Sequence, residues 1–129
     1  MDRQAKKAIV LGATGLVGRL LTQMLLVDVG YSGVLVFGRN PTGLNHPKLT
    51  EVRADLLALE DFKAEFATDV VFCCVGTTKA KTPDKEVYKS VDYGIPVTAA
   101  RLCEANGIPA YLVVSALGAN PESPVFYNR

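Results

Sequence analysis

The chain has 129 residues, of which 49% are hydrophobic, and its 14 basic and 13 acidic side chains give a formal net charge of +1. This length fits one domain spanning residues 1–129 and excludes a second domain of ordinary size. The balanced charge predicts no nucleic-acid or membrane partner, and no apolar segment is long enough to cross a bilayer. The polar start, Met1–Lys7, carries no export signal, and the 3 cysteines cannot all pair. We therefore predict a cytoplasmic protein with reduced thiols.

The first half of the chain predicts three strands and one helix. Ala8–Leu11 is a short apolar run that ends at a glycine, which is typical of a strand buried on both faces of a parallel sheet. Apolar residues then recur at three- and four-residue spacing over Leu16–Leu25, which predicts a helix, and Gly30 offers a stop. Val34–Phe37 predicts a second strand, and Leu49–Ala54 predicts a weaker third one.

The second half continues the alternation of helix and strand. Leu56–Phe66 predicts a short amphipathic helix, and Val70–Val75 predicts a fourth buried strand. The segment from about residue 85 to 106 has a helical pattern that Pro96 should kink or interrupt, and Ala110–Val114 predicts a fifth strand. Short connections between alternating strands and helices imply right-handed crossovers. The predicted fold is a doubly wound, Rossmann-type α/β parallel sheet with strand order 3-2-1-4-5.

This strand order places the fifth strand at an edge of the sheet. The strand carries no charge, whereas natural edge strands are usually short, charged or broken. We therefore expect that the chain is the N-terminal part of a longer protein, truncated after the fifth strand, or that this edge pairs with a second copy in a homo-oligomer.

A glycine-rich turn lies between the first predicted strand and the first helix. Its residues are Gly12, Ala13, Thr14, Gly15, Leu16, Val17 and Gly18. Glycines let the backbone approach a pyrophosphate, and a helix N-terminus offers free amides and the positive end of its dipole. The turn therefore predicts a dinucleotide site, although a tight turn without a ligand would have the same sequence.

Two arginines bear on which dinucleotide is bound. In NAD-specific sheets an acidic residue near the end of the second strand holds the ribose diol. In this chain the second strand ends in Gly38-Arg39-Asn40, which contains no acidic residue. A guanidinium suits a 2′-phosphate, so Arg39 favours NADP over NAD, with Arg19 as a second candidate contact. The alternative for both arginines is a solvated surface charge.

Polar residues also follow the third and fourth strands. Asp55 comes after the third strand, and Gly76 and Thr77 come after the fourth, at the carboxyl edge where ligands bind. We expect these positions to contact the adenine and the nicotinamide ribose. Asp55 is equally well placed to cap the N-terminus of the following helix.

Several motifs together resemble one family. They are the glycine turn, Arg39, Asp55-Leu56, the run from Cys73 through Val75, Gly76 and Thr77 to Thr78, the segment from Ser115 to Ala119, and the terminal Phe126 to Arg129. The chain resembles an atypical short-chain dehydrogenase/reductase, nearest to the Tat-interacting-protein-like oxidoreductases. The resemblance implies an NAD(P)-dependent oxidoreductase acting on a small carbonyl, alcohol or sugar-nucleotide-like substrate. It also implies that the substrate-binding C-terminal part is missing.

The same resemblance implies two catalytic residues. Ser115 would orient the substrate oxygen, and Tyr127 would exchange the proton that accompanies hydride transfer. The family's lysine, which lowers the pKa of the tyrosine, would fall at position 131, so we expect the 129-residue chain alone to be inactive.

Two other functions fit the same residues. One is a non-catalytic regulatory protein whose partner affinity depends on the bound dinucleotide. The other is the N-terminal domain of a semialdehyde-dehydrogenase-like enzyme, which would need a nucleophilic cysteine, but Cys73, Cys74 and Cys103 all fall in apolar patterns typical of a core. No metal site is predicted, because His46 is the sole histidine and the cysteines are dispersed.

Overall fold

A five-stranded parallel sheet forms the centre of the protein. The computed structural model describes residues 5–75 and 94–114. The strands are β1 (Lys6–Leu11), β2 (Tyr31–Gly38), β3 (Leu49–Arg53), β4 (Val70–Cys73) and β5 (Ala110–Val113). Their order is β3-β2-β1-β4-β5, and all four pairings are parallel. The predicted doubly wound sheet with order 3-2-1-4-5 is confirmed.

The central strand β1 separates two layers of buried side chains. Ile9 and Leu11 belong to one layer, and Ala8 and Val10 belong to the other. This alternation follows from the period of two along a strand, and burial on both faces explains why the sequence of β1 is continuously apolar. Every residue from Ala8 to Leu11 is at most 1% exposed.

Helix α1 (Leu16–Leu26) packs against β1 and β2 on the second layer. Its buried residues are Gly18, Thr22, Leu25 and Leu26. The Thr22 hydroxyl is satisfied there, because it donates to the Gly18 carbonyl oxygen at 2.7 Å. Helix α1 ends four residues before Gly30, the stop that the sequence offered.

A 3-10 segment (Leu56–Glu65) replaces the amphipathic helix predicted over Leu56–Phe66. Its backbone leaves helical geometry at Ala58 and Phe62. The rings of Phe62 and Phe66 each lie 5.7 Å, centroid to centroid, from that of Phe37. Both aromatic rings therefore pack against one core residue.

Helix α2 (Ile95–Ala105) packs beside the 3-10 segment on the first layer. Pro96 lies in its first turn, where a missing N–H costs no helical hydrogen bond. The part of the predicted helix before residue 94 lies outside the described residues. The helix ends at Gly107, whose φ is +69°, and Ile108 N–H donates to the Cys103 carbonyl oxygen at 2.9 Å. This is a Schellman termination, in which Gly107 takes the left-handed backbone conformation.

Strand β5 lies at one edge of the described sheet. It pairs with β4 alone among the described residues. The Leu112 side chain is 47% exposed, which is high for a leucine in the middle of a strand. The predicted position of the fifth strand is confirmed.

Candidate functional site

The fold itself requires two of the glycines in the turn between β1 and α1. Gly12 has φ +84°, and a Cβ there would lie 2.9 Å from the backbone carbonyl atoms of Cys74. A Cβ at Gly18 would lie 2.0 Å from the Gly12 carbonyl oxygen. Both contacts are far shorter than van der Waals distance, so the close approach of α1 and β4 to this turn depends on glycine at both positions.

Gly15 is a glycine that the packing does not require. It is the N-cap of α1 with extended backbone angles, φ −77° and ψ 172°, which any residue adopts. A Cβ there would have its nearest neighbour, the Gly12 carbonyl oxygen, at an ordinary 3.6 Å. No side chain caps the helix, so the first backbone amides of α1 have no intrahelical acceptor. This end of the helix therefore has free donors and no side chain above them.

A cavity of about 410 Å³ opens beside this turn at the carboxyl ends of the strands. Seven of the site residues predicted from the sequence line it: Gly12, Ala13, Thr14, Arg39, Asp55, Leu56 and Val75. Five others do not line it, namely Gly15, Leu16, Val17, Gly18 and Arg19. The predicted residues Gly76, Thr77, Ser115 and Tyr127 lie outside the described residues.

Arg19 contacts the loop after β2 instead of the cavity. Its Nη1 donates to the carbonyl oxygen of Thr42, a residue that is only 6% exposed. The Thr42 N–H and hydroxyl in turn donate to the two carboxylate oxygens of Glu51, at 3.0 and 2.9 Å. Arg19, Thr42 and Glu51 therefore tie α1, the loop and β3 together. The expected contact of Arg19 with a dinucleotide stays a prediction.

Asp55 holds the position expected of a helix cap. Its Oδ1 accepts a hydrogen bond from the Leu57 N–H at 2.9 Å, and its carbonyl oxygen accepts from the Ala58 N–H at the same distance. The capping role weighed from the sequence is confirmed. Since Asp55 also lines the cavity, this cap fixes the carboxylate at the cavity wall.

Sequence reasoning missed several residues of the cavity wall. Glu51 and Arg53 on β3, and Asn40, Pro41 and Thr42 in the loop, all line it. Their place on the wall depends on the register between β2 and β3, which the hydrophobic pattern of the sequence does not indicate. Gly38 pairs with Arg53, so the end of β3 lies directly beside the end of β2.

The three cysteines are buried free thiols. Cys73 and Cys74 lie in opposite core layers, as expected for neighbours on a strand. Burial raises the pKa of Cys74 and of Cys103 to about 11, with a smaller contribution from the charge of Cys73, and burial also raises the pKa of Cys73. A thiol that resists ionisation is a poor nucleophile, so these residues do not favour semialdehyde-dehydrogenase chemistry.

Tyr111 on β5 is a half-buried group packed against the core layer that contains Cys73. Its hydroxyl donates to the Pro96 carbonyl oxygen at 2.7 Å, which ties β5 to the start of α2. Burial, followed by the charge of Cys73, raises its pKa.

Two other kinds of site were searched for within residues 5–75 and 94–114. No group of three or more His, Cys, Asp or Glu side chains there could hold a metal ion. None of the helices in that part of the chain is long and apolar enough to span a membrane.

Comparison with known proteins gives relatives along nearly the whole chain. A family model described as NAD(P)H-binding matches residues 12–129. The FMP52 protein of Debaryomyces hansenii is 31% identical over 93% of this chain, and the HTATIP2 protein of Rattus norvegicus is 28% identical over 96%. The alignments cover 54% and 52% of those proteins, so the chain spans about half the length of the curated relatives it matches.

Solved structures share the fold. Uronate dehydrogenase from Agrobacterium tumefaciens, complexed with NAD, has a TM-score of 0.71 and 18% identity, covering 87% of this chain and 41% of that one. The Bordetella bronchiseptica enzyme WbmG, in complex with NAD, has a TM-score of 0.70 and 16% identity, covering 85% and 37%. The chain therefore shares its parallel-sheet fold with these two NAD-complexed proteins.

The same comparisons correct one prediction and establish the family. The prediction of a cytoplasmic protein is wrong, because the similar FMP52 proteins of Candida albicans, Scheffersomyces stipitis and Debaryomyces hansenii are named as mitochondrial. The polar start of the chain, on which that prediction relied, does not distinguish the two locations. The family match over residues 12–129, the relatives and the five-stranded sheet agree, and the chain belongs to the NAD(P)H-binding family.

Proposed function

We propose that this chain is the NADP-binding part of an oxidoreductase of the short-chain dehydrogenase/reductase type. The observation that carries the proposal is the cavity at the carboxyl ends of the strands, which has the glycine turn at one wall and Arg39 and Asp55 at others. Ligands of open α/β sheets bind at this edge, where the strand order reverses between β1 and β4. The cavity also lies within the range of about 300–1,000 Å³ typical of small-molecule sites.

The pyrophosphate would lie against the N-terminus of α1. The first amides of α1 lack intrahelical acceptors, and Gly15 presents no side chain above them. Gly15 is also free of packing constraints, which favours a role in admitting a ligand. The adenosine half would then occupy the cavity, with Asp55, Leu56 and Val75 near the adenine.

The charges on the cavity wall favour NADP over NAD. Arg39 is exposed and suits a 2′-phosphate, whereas it cannot accept hydrogen bonds from a ribose diol. Both carboxylates that line the described part of the cavity already accept hydrogen bonds from the protein: Glu51 from Thr42, and Asp55 from Leu57. Glu51 uses both carboxylate oxygens in this way, whereas Asp55 uses Oδ1.

The chemistry would come from the bound cofactor and two side chains. Bound NADPH would supply hydride-transfer chemistry. Ser115 would orient the oxygen of a small carbonyl or sugar-nucleotide-like substrate, and Tyr127 would give the proton. Gly76 and Thr77 would contact the nicotinamide ribose. These four residues lie outside the described residues, and their roles remain predictions from the family resemblance.

The proposed function is tested by calorimetric titration of the protein with NADPH and, separately, with NADH. We expect tighter binding of NADPH and loss of that preference in Arg39→Gln, while Arg101→Gln, an exposed arginine of α2, serves as the matched control. Absence of binding of either dinucleotide would refute the proposal. Selective binding by a full-length protein that supplies the lysine at position 131, without reduction of any carbonyl in a broad panel, would instead favour a regulatory, dinucleotide-sensing protein.

We also propose that a further strand pairs with β5, supplied by the rest of a longer protein or by a second copy. The 47% exposure of Leu112, in the middle of β5, supports this. Sedimentation and hydrogen exchange test it. A monomer of the 129-residue chain whose β5 edge is protected from exchange would refute it.

A further inference from the structure

A second arginine besides Arg39 lines the cavity. Arg53 is the last residue of β3 and pairs in register with Gly38, the last residue of β2. Arg39 follows Gly38 directly in the chain, and all three residues line the cavity. The parallel pairing therefore brings two arginines, 14 positions apart in sequence, to neighbouring strand ends.

The space beside Arg53 is open. Residues paired across parallel strands point to the same face of the sheet, so Arg53 projects on the face where Gly38 has no side chain. A Cβ at Gly38 would meet only the Asn40 carbonyl oxygen, at 3.8 Å. Arg53 is itself exposed. A ligand group can therefore approach its guanidinium from the side of β2.

The hydrogen bonds of the wall leave both arginines available. Neither Arg39 nor Arg53 donates a side-chain hydrogen bond within the described part of the chain, whereas the carboxylates of Glu51 and Asp55 accept backbone N–H groups there. Each guanidinium has five donors in a planar fork that matches a phosphate. Arg39 and Arg53 are therefore the charged residues of the cavity lining that make no side-chain hydrogen bond within the described part of the chain.

We infer that Arg53, together with Arg39, forms the subsite for the 2′-phosphate of NADP and determines cofactor specificity. The inference rests on the proposed function and deepens it. Two guanidiniums on adjacent strand ends can share the oxygens of one phosphate, and charge-assisted bonds of this kind are among the stronger ones in proteins. NAD has only a hydroxyl at this position, so Arg53 contributes to the affinity for NADP and not to that for NAD.

Arg19 takes a different role in this arrangement. Its guanidinium donates to the Thr42 carbonyl oxygen, and Thr42 in turn holds Glu51. Arg19 is therefore a positioning residue for the loop that follows Arg39. Substitution of Arg19 should weaken NADP and NAD to a similar degree, in contrast with substitution of Arg53.

The test compares Arg53→Gln with the wild-type protein and with Arg101→Gln, an exposed arginine on α2 that does not line the cavity. Dissociation constants are measured for NADP, NAD, 2′-AMP and 5′-AMP. Arg53→Gln should weaken NADP and 2′-AMP by about 10- to 100-fold, as expected for a lost hydrogen bond to a charged group, and change NAD and 5′-AMP by less than about twofold. Arg101→Gln should change none of them, and equal urea midpoints would show that all variants fold.

Phosphorus NMR gives a readout that a merely structural role would not move. The second pKa of a phosphate monoester is about 6, and neighbouring guanidiniums lower it. The pKa of the bound 2′-phosphate should rise toward its free value in Arg53→Gln and stay low in Arg101→Gln. Unchanged NADP preference in Arg53→Gln would overturn this inference alone. Failure of the wild-type protein to bind either dinucleotide would overturn the proposed function, and this inference with it.

Discussion

Replacement of Gly18 by alanine tests the packing of α1 on the turn that precedes it. The added Cβ would lie 2.0 Å from the Gly12 carbonyl oxygen and 2.8 Å from its carbonyl carbon. Ordinary contact begins at about 3.4 Å, so α1 must move away from the turn by about 1.4 Å. Because the obstacle is backbone, no side chain can rotate to relieve the contact.

Two opposing effects set the magnitude. Alanine gains about 1 kcal/mol over glycine inside a helix, whereas inserting a methyl group into a tightly packed site costs about 1–3 kcal/mol, and more when backbone must shift. We expect the cost of this displacement to lie at the upper end of that range. We expect the free energy of unfolding of Gly18→Ala to fall by about 2 kcal/mol, measured by urea denaturation, which corresponds to a midpoint shift of roughly 1 M.

Gly15→Ala is the matched comparison within the same turn. Its Cβ would have 3.6 Å to the nearest atom, and its backbone angles suit any residue. We expect its free energy of unfolding, measured by urea denaturation, to fall by less than about 1 kcal/mol. Its affinity for NADP should fall, since the methyl group would occupy the approach to the free amides of α1. An unchanged midpoint for Gly18→Ala would refute the packing argument. Undiminished NADP binding by Gly15→Ala would refute the assignment of that space to the ligand.

Three further substitutions or titrations test the local chemistry. Asp55→Ala should lose about 1 kcal/mol of stability by urea denaturation because the Leu57 N–H loses its acceptor, and Asp55→Asn should retain most of it. Gly107→Ala should cost about 1 kcal/mol by the same assay, entirely through its φ of +69°, since its Cβ would meet nothing within 4 Å. Raising the pH from about 9 to 11 should lower the free energy of unfolding, because the thiols ionise near 9.0 in the unfolded chain, whereas those of Cys74 and Cys103 stay protonated to about 11 in the folded protein. A free energy of unfolding that does not change with pH would contradict the burial of these thiols. The Cys74→Ala/Cys103→Ala variant should show a smaller change with pH.

The strand order and the glycine turn could be predicted because their signals are local. A short, continuously apolar run such as Val70–Cys73 is typical of a strand that is buried on both faces of a parallel sheet. The chirality of crossover connections then leaves few ways to order such strands. The glycine turn could be predicted from the spacing of its glycines. The structure shows that a side chain would not fit at Gly12 or at Gly18.

The faces of α1 show what a pattern of spacing leaves open. Leu16, Leu20 and Met24 recur at helical spacing, yet they are 78%, 54% and 65% exposed. The side of the helix against the sheet instead carries Gly18 and the fully buried Thr22. Periodicity identified the helix, but the choice between two candidate faces depended on how closely the helix approaches β1, which the spacing of leucines does not report.

The cavity wall was predictable only in part, for a related reason. Arg39 and Asp55 were found because each follows a predicted strand end, a position defined by the sequence alone. Arg53 and Glu51 lie within the strand before Asp55, and their relation to the end of β2 depends on the register that pairs Gly38 with Arg53. The interaction of Arg19 with Thr42 depends on a loop path that no local motif encodes.

The central position of β1 has a consequence for how the chain is made. This strand is near the start of the chain, yet its second partner, β4, begins only at Val70, and the Lys7 N–H donates to a carboxylate of Asp69, 62 residues away. At a synthesis rate of about 5–20 residues per second, β1 leaves the ribosome several seconds before β4 exists. During that interval β2 can pair with one edge of β1 while the other edge stays open. The strand that is most buried in the folded protein therefore has an unpaired edge for several seconds during translation.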